Sequence, residues 1–139
     1  MESVWIALLM SLLGFFVVYF FIHAILKYPS EYSIREIGTI IRKGAFAYLK
    51  RQYKVLTPFV LALTVLLSFL FSIEFSSIFF IGALFSIASG LVGMSISTIA
   101  NYKTTSAAKK SLNEALFVSF TGGSIMGITT CSFGILGIS

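Results

Sequence analysis

Four long apolar stretches constrain this chain more than any other feature of its sequence. They cover residues 4–26, 55–73, 75–100 and 115–139, and none of them contains Asp, Glu, Lys or Arg. A transmembrane helix needs about 20 predominantly apolar residues. Only 11% of all residues are charged, against about 25% in ordinary soluble domains. The sequence therefore predicts an all-α integral membrane protein with four transmembrane helices in one domain over residues 1–139.

The first stretch, residues 4–26, has a signal peptide as its alternative interpretation. Only Glu2 precedes it as a charged residue, so the positive segment of a signal peptide is missing. The stretch is longer than the usual apolar segment of a signal peptide. It runs into Lys27, Tyr28 and Pro29 with no pair of small residues to mark a cleavage site. We therefore expect a retained transmembrane helix.

Residues 27–54 form a polar connection that holds seven of the ten Lys and Arg residues. Apolar residues recur in it at spacings of three and four, which predicts an amphipathic helix over 33–54. We expect this helix to lie at the cytoplasmic membrane interface and to lead into the second span, with Pro58 in that span's first turn. Glu74 marks a short turn, and residues 101–114 form a second cytoplasmic connection.

The distribution of positive charge predicts the orientation of the chain in the membrane. All ten Lys and Arg residues lie in residues 27–54 and 101–114. By the positive-inside rule both connections face the cytoplasm, which places the N-terminus outside. The same rule explains the net charge of +5 better than nucleic-acid binding does. A prokaryotic plasma membrane is the expected location.

Small residues recur every four positions in the third and fourth stretches. Such ridges let transmembrane helices approach closely, and we interpret them as packing surfaces; a pathway lined by small residues is the alternative. The ridges comprise Gly82, Ser86 and Gly90; Ser89, Gly93 and Ser97; and Ser119, Gly123, Gly127 and Cys131.

The side chains that usually carry chemistry are sparse in this chain. It has no Asp, five scattered Glu residues and one cysteine, Cys131, which we expect to be a packing residue. No Gly-rich phosphate loop followed by Lys and Ser or Thr is present. Glu74 is expected to be solvated in its turn, and His23 to be interfacial. We therefore predict no catalytic, cofactor-binding or metal-ligating residue within residues 1–139.

Four blocks of sequence resemble the membrane-bound, ion-pumping inorganic pyrophosphatases, in the order and spacing of that family. They run from about Ile34 to Gly137. The blocks are residues 41–54 (IRKGAFAYLKRQYK); Gly82, Ala83, Ser86, Gly90, Gly93 and Met94; residues 100–104 (ANYKT) with Ala107, Ala108, Ser111 and Leu112; and Ala115, Leu116, Phe120, Gly122, Gly123, Met126, Gly127 and residues 134–137 (GILG). Two positions depart from the pattern: Lys103 replaces the usual arginine, and Lys43 replaces a glutamate found in many members.

The resemblance implies a fold and a function that the residues alone do not establish. Members of the family are homodimers of about sixteen spans that hydrolyse pyrophosphate at a cytoplasmic Mg²⁺ site and pump protons or sodium ions outward. This chain is similar to their N-terminal quarter, whose four spans belong mainly to an outer ring of helices. The family's catalytic and metal-binding motifs match no residue here, so the chain alone is expected to be inactive. Proton or sodium specificity and a requirement for K⁺ are left open.

Two other functions are compatible with the same residues. The chain could be a standalone structural or assembly protein of the membrane, or a small channel subunit that oligomerises through its glycine ridges. We expect a fragment of a longer pump, because no charged residue follows the fourth stretch at residues 134–139.

Overall fold

The computed structural model describes residues 2–138, and these residues form four α-helices. They are α1 (Glu2–Lys27), α2 (Tyr32–Leu70), α3 (Ile73–Ala108) and α4 (Leu112–Ile138). Each helix is long and apolar enough to cross a membrane, which confirms the predicted all-α membrane fold. Ser139, the last residue of the predicted fourth span, lies outside the described residues.

The helices lie side by side in the spatial order α2, α3, α4 and α1. Helix α3 packs along both α2 and α4, while α1 packs mainly on α4 and touches α3 only slightly. Helices α1 and α2 follow each other in sequence but do not pack together in the described structure. The connection 28–31 therefore joins the two outermost helices of the row.

Helix α2 continues without interruption from the predicted amphipathic segment, 33–54, into the predicted second span. It runs antiparallel to α3: Gly38 lies against the ring of Tyr102, and the Tyr53 hydroxyl donates to the Ile87 carbonyl at 3.3 Å. The location of 33–54 at a membrane interface stays a prediction. Pro58 lies deep inside α2, so the prediction of a first-turn position was wrong, because the helix begins at Tyr32.

Helix α3 extends eight residues past the predicted end of its span, to Ala108. Only residues 109–111 separate it from α4. At its beginning, the Ser72 side chain accepts from the Phe75 N–H, as an N-cap residue does. Ser111 has the same role for α4, where its hydroxyl accepts from the Glu114 N–H at 3.2 Å. Capped, nearly adjacent helix ends hold α3 and α4 as an antiparallel hairpin.

The core of the bundle lies where α1, α3 and α4 meet. The buried side chains there are Val18, Ile25, Ile99, Ala100 and Ile125. Gly122 permits this packing, because a Cβ atom added to it would lie 2.5 Å from the Ala100 Cβ. Nearby, the buried Ser11 hydroxyl donates to the Ser132 carbonyl at 2.9 Å and links α1 to α4.

The predicted small-residue ridges are partly right. On α3, Gly90 lies under the Tyr53 hydroxyl and Gly93 lies under Met126. The ridge on α4 instead faces away from the other three helices: its members, Ser119, Gly123, Gly127 and Cys131, are all exposed. The expectation that Cys131 packs inside was therefore wrong for these four helices. The packed stripe of α4 is displaced by one residue from the predicted ridge and includes Gly122.

Candidate functional site

The densest group of polar contacts lies where α1 ends, α3 ends and α4 begins. Charged and polar side chains meet there from the connection 28–31 and from the two ends of the α3–α4 hairpin. We call this group the polar cluster; its members are Tyr28, Glu31, Lys103, Lys109, Lys110 and Glu114.

Lys103 is the only buried member of the polar cluster, with 6% of its surface exposed. Its Nζ donates to the Leu26 carbonyl at 2.8 Å and to the Tyr28 carbonyl at 2.6 Å. The last carbonyls of a helix have no partner within the helix and carry its partial negative charge. The buried ammonium of α3 therefore satisfies and neutralises the end of α1.

Tyr28 connects α1 to the beginning of α4. Its hydroxyl donates to Glu114 Oε2, and the Lys110 Nζ lies 5.5 Å from the centre of its ring. The hydrogen bond to Glu114, with desolvation and the negative charge of that carboxylate, raises the pKa of Tyr28 above its ordinary value of 10.0. The phenol therefore stays protonated and keeps donating well into the alkaline range.

Lys109 and Glu31 form the exposed edge of the polar cluster. Their ion pair, at 2.5 Å, joins the end of α3 to the residue before α2. Both side chains are more than half exposed, so water and salt weaken their attraction. The bond positions the connection 28–31 but contributes little to stability.

The side chains of the polar cluster are suited to a structural role, in which they hold chain segments together. Within residues 4–138, no three His, Cys, Asp or Glu side chains lie close enough to hold a metal ion. Of its two carboxylates and three lysines, Lys109 pairs with Glu31 and Lys103 donates to backbone carbonyls. Glu114 and Lys110 both contact Tyr28, through its hydroxyl and its ring. The cluster fixes four chain segments relative to each other at one end of the bundle.

The structure separates the residues that the sequence had singled out. Glu74 lies in the first turn of α3, at the opposite end from the polar cluster. His23 is exposed on α1, with its ring 4.8 Å from that of Tyr19. The two small-residue ridges on α3, within residues 82–97, lie earlier in the helix than Lys103. The structure does not bring these residues together into one site.

Sequence reasoning missed the role of Lys103, which it had counted as a loop charge. A signal was present: Ala100, Lys103 and Ala107 are spaced by three and four residues, as on one face of a helix. All three are buried. The signal was overlooked because the third span was expected to end at residue 100.

Comparison with known proteins identifies strong similarity to one family. The family described as "Inorganic H+ pyrophosphatase" matches residues 12–139. A putative K(+)-stimulated pyrophosphate-energized sodium pump of Clostridium tetani is 41% identical over 95 residues, or 68% of this chain and 14% of the relative. A K(+)-insensitive pyrophosphate-energized proton pump of Methanosarcina mazei is 36% identical over 123 residues, or 86% of this chain and 18% of the relative.

A third relative covers the whole chain. It is a putative K(+)-stimulated pyrophosphate-energized sodium pump of Bacteroides thetaiotaomicron, 34% identical over 149 aligned residues, or 100% of this chain and 20% of the relative. The chain thus spans a fifth or less of the length of these curated relatives. Proton pumps and sodium pumps occur among them.

Proposed function

This chain belongs to the inorganic H+ pyrophosphatase family, and we propose that it is the N-terminal membrane segment of a pump. The pump would couple hydrolysis of pyrophosphate to outward transport of protons or sodium ions. The observation that carries the proposal is the family match over residues 12–139, together with relatives named as pyrophosphate-energized pumps. The four membrane-spanning helices agree with such a role.

The proposed orientation has the N-terminus outside and the connections in 27–54 and 101–114 on the cytoplasmic side. The last residues of 27–54, from Lys50 onward, continue within α2 into the second span. The polar cluster supports it, since Lys103, Lys109 and Lys110 lie at the same end of the bundle as Lys27. The α2–α3 turn, at the other end, carries Glu74 and no Lys or Arg within residues 55–100. An excess of cytoplasmic Lys and Arg sets topology in this way.

Within the pump, the four helices would have a structural role. The polar cluster would brace the cytoplasmic side, and the exposed ridge of α4 would receive further helices of the same pump. Pyrophosphate, Mg²⁺ and any K⁺ would be bound by residues outside these 139, and the intact pump would be a homodimer. A prokaryotic plasma membrane is the proposed location.

The decisive test is to read the coding sequence beyond Ser139 and to assay its full product. We expect the frame to continue through further apolar stretches with a cytoplasmic group of aspartates. Vesicles with the full product should release phosphate from added pyrophosphate only with Mg²⁺, and should acidify or take up sodium. A stop codon directly after Ser139 would refute the proposal.

A matched preparation separates the pump from its alternatives. Vesicles that contain only residues 1–139 should hydrolyse no more pyrophosphate than empty vesicles do. Ion flux through them without pyrophosphate would favour the channel subunit instead. Hydrolysis by the short chain would contradict the assignment of the active site to other residues.

A further inference from the structure

Three cations on α2 lie level with the middle of the first apolar stretch, residues 4–26. Lys50, Arg51 and Lys54 are within one turn of Tyr53, whose hydroxyl bonds to Ile87 and lies over Gly90. We call these three residues the basic face.

A ladder of contacts relates Tyr53 to the opposite side of the bundle. Next to Ile87, the Ser89 hydroxyl is 2.8 Å from the Thr130 hydroxyl of α4. Half a turn further along α4, the Ser132 carbonyl accepts from Ser11, and the Ser132 side chain lies against Gly14. The basic face is therefore level with residues 11–14 of α1.

That level lies near the middle of the first span, residues 4–26. The rise from Gly14 to Lys27, the first positive residue of the chain, is about 20 Å along the helix axis. The hydrocarbon core of a bilayer is about 30 Å thick. If α1 spans it, the basic face lies near the middle, where long basic side chains cannot reach the interface as they do near helix ends.

The basic face also points away from the bundle. Helix α2 packs only on α3, through the side that includes Gly38, Leu49 and Tyr53. At 3.6 residues per turn, Arg51 and Lys54 fall roughly opposite that side. All three members of the basic face are exposed, and within residues 4–138, whose side chains the structure describes, the ion pairs are limited to Lys109 with Glu31.

Among the side chains that the structure describes, no carboxylate lies at the depth of the basic face. Glu31, Glu36 and Glu114 lie toward the end with the polar cluster, and Glu74 lies in the first turn of α3 at the other end. A second copy in the same orientation has its carboxylates at the same depths, so it cannot neutralise the basic face either. The neutralising groups must belong to another segment.

Pro58 adds a second unsatisfied group at this depth. A proline has no N–H, so the Lys54 carbonyl lacks the donor that α2 would otherwise supply. Lipid offers neither a counter-charge nor a hydrogen-bond donor to such groups. Both observations point to a polar partner rather than to acyl chains.

We propose that the basic face of α2 docks against a further transmembrane helix of the intact pump, one that carries a carboxylate in its membrane-embedded part. The inference rests on the proposed function, since it takes this chain to be part of a longer pump. Charge complementarity selects the partner: a buried cation in a membrane protein is stable when it is paired.

Cross-linking the intact protein in its native membrane tests the pairing directly. A membrane-permeant carbodiimide joins a lysine to a carboxylate only where the two are in contact. We expect mass spectrometry to find Lys50 or Lys54 joined to an Asp or Glu outside residues 1–139, and Lys54→Gln and Lys50→Gln to lose their respective links. Links from these lysines only to glutamates of residues 1–139, or none, would overturn the proposal.

Cysteine accessibility gives an independent measurement. In a Cys131→Ser background, we expect Arg51→Cys to react with a membrane-impermeant maleimide about tenfold or more slowly than Asn113→Cys, because a covered site must first open. Denaturation in detergent should make the two rates equal. The control, Asn113, is exposed in the first turn of α4. Equal rates in intact vesicles would mean that lipid headgroups or water meet the basic face, and would refute the proposal.

The two proposals fail in different ways. An intact protein that hydrolyses pyrophosphate but shows neither cross-link nor protection would retain its function and lose this inference. The wild-type cross-link does not depend on any substitution being tolerated, so a variant that fails to fold does not decide the result.

Discussion

The polar cluster and the basic face both contain cationic side chains, but the two groups differ in burial and in whether the cations have partners. Lys103 is buried, and its ammonium donates hydrogen bonds to two backbone carbonyls, both within 2.8 Å. Lys50, Arg51 and Lys54 are exposed and have no acidic partner in the described helices. The charged groups of the polar cluster have their partners within these four helices, while those of the basic face need a partner from another segment. In a membrane protein, an unpaired cation thus marks a surface that packs against a further segment, and a paired cation marks one that does not need it.

Removing the buried ammonium should have the largest effect on this comparison. Lys103→Met keeps much of the side-chain volume but leaves the Leu26 and Tyr28 carbonyls without their donor. Since hydrogen bonds from charged groups are worth about 1.5–3 kcal/mol each, we expect a loss of roughly 3 kcal/mol in the free energy of unfolding. Unfolding of the intact protein in detergent, followed by circular dichroism, measures it.

Lys109→Met is the matched control, because it removes an exposed ion pair at the same end of the bundle. Its expected cost is about 0–1 kcal/mol. Lys103→Arg should retain much of the stability, since a guanidinium also donates to carbonyls. Equal effects of Lys103→Met and Lys109→Met would show that the burial of Lys103 has no energetic meaning.

The neighbouring glycines of α4 give the next largest effect. Gly122→Ala places a Cβ atom 2.5 Å from the Ala100 Cβ, and such overpacking costs about 1–3 kcal/mol. Gly123→Ala has open space around its added Cβ and should gain up to about 1 kcal/mol from helix propensity in the isolated four helices. Destabilisation by Gly122→Ala and stabilisation by Gly123→Ala in one denaturation series would confirm which face of α4 packs. The reverse result would show that Gly123, and not Gly122, faces the other helices.

The smallest effect concerns Tyr28 and alkaline pH. Its pKa in the folded protein is raised above 10.0 by the bond to Glu114, so the phenol of the unfolded chain loses its proton first. The stabilisation is complete below pH 10 and is lost as pH rises through the higher folded pKa. Tyr28→Phe should therefore be slightly less stable than the wild type at pH 8, and the gap should shrink above pH 10. A gap that grows with pH would contradict this sign.

The apolar stretches were sufficient to predict the membrane fold, because each carries the length and the lack of charge that a bilayer demands. The packing faces were harder to predict. Small residues occur on both sides of α4, and only the contacts show that Gly122 packs while Gly123 is exposed. The burial of Lys103 was missed because the hydrophobic pattern ends before α3 does. The sequence places Lys50, Arg51 and Lys54 in the amphipathic segment 33–54, before the second span, because the pattern of a single helix contains no information on the depth of its neighbours.

The row order α2, α3, α4 and α1 has a consequence for biogenesis. Helix α1 leaves the ribosome first, yet its main neighbour, α4, begins only at Leu112. At synthesis rates of about 5–20 residues per second, α1 waits on the order of ten seconds in the membrane before that neighbour exists. Its apolar stretch has the highest mean hydropathy of the four spans, and that of α4 has the lowest. The helix that is first exposed to lipid without its neighbour is thus the one whose stretch is most apolar. The last of these four helices, α4, inserts beside neighbours that are already in the membrane.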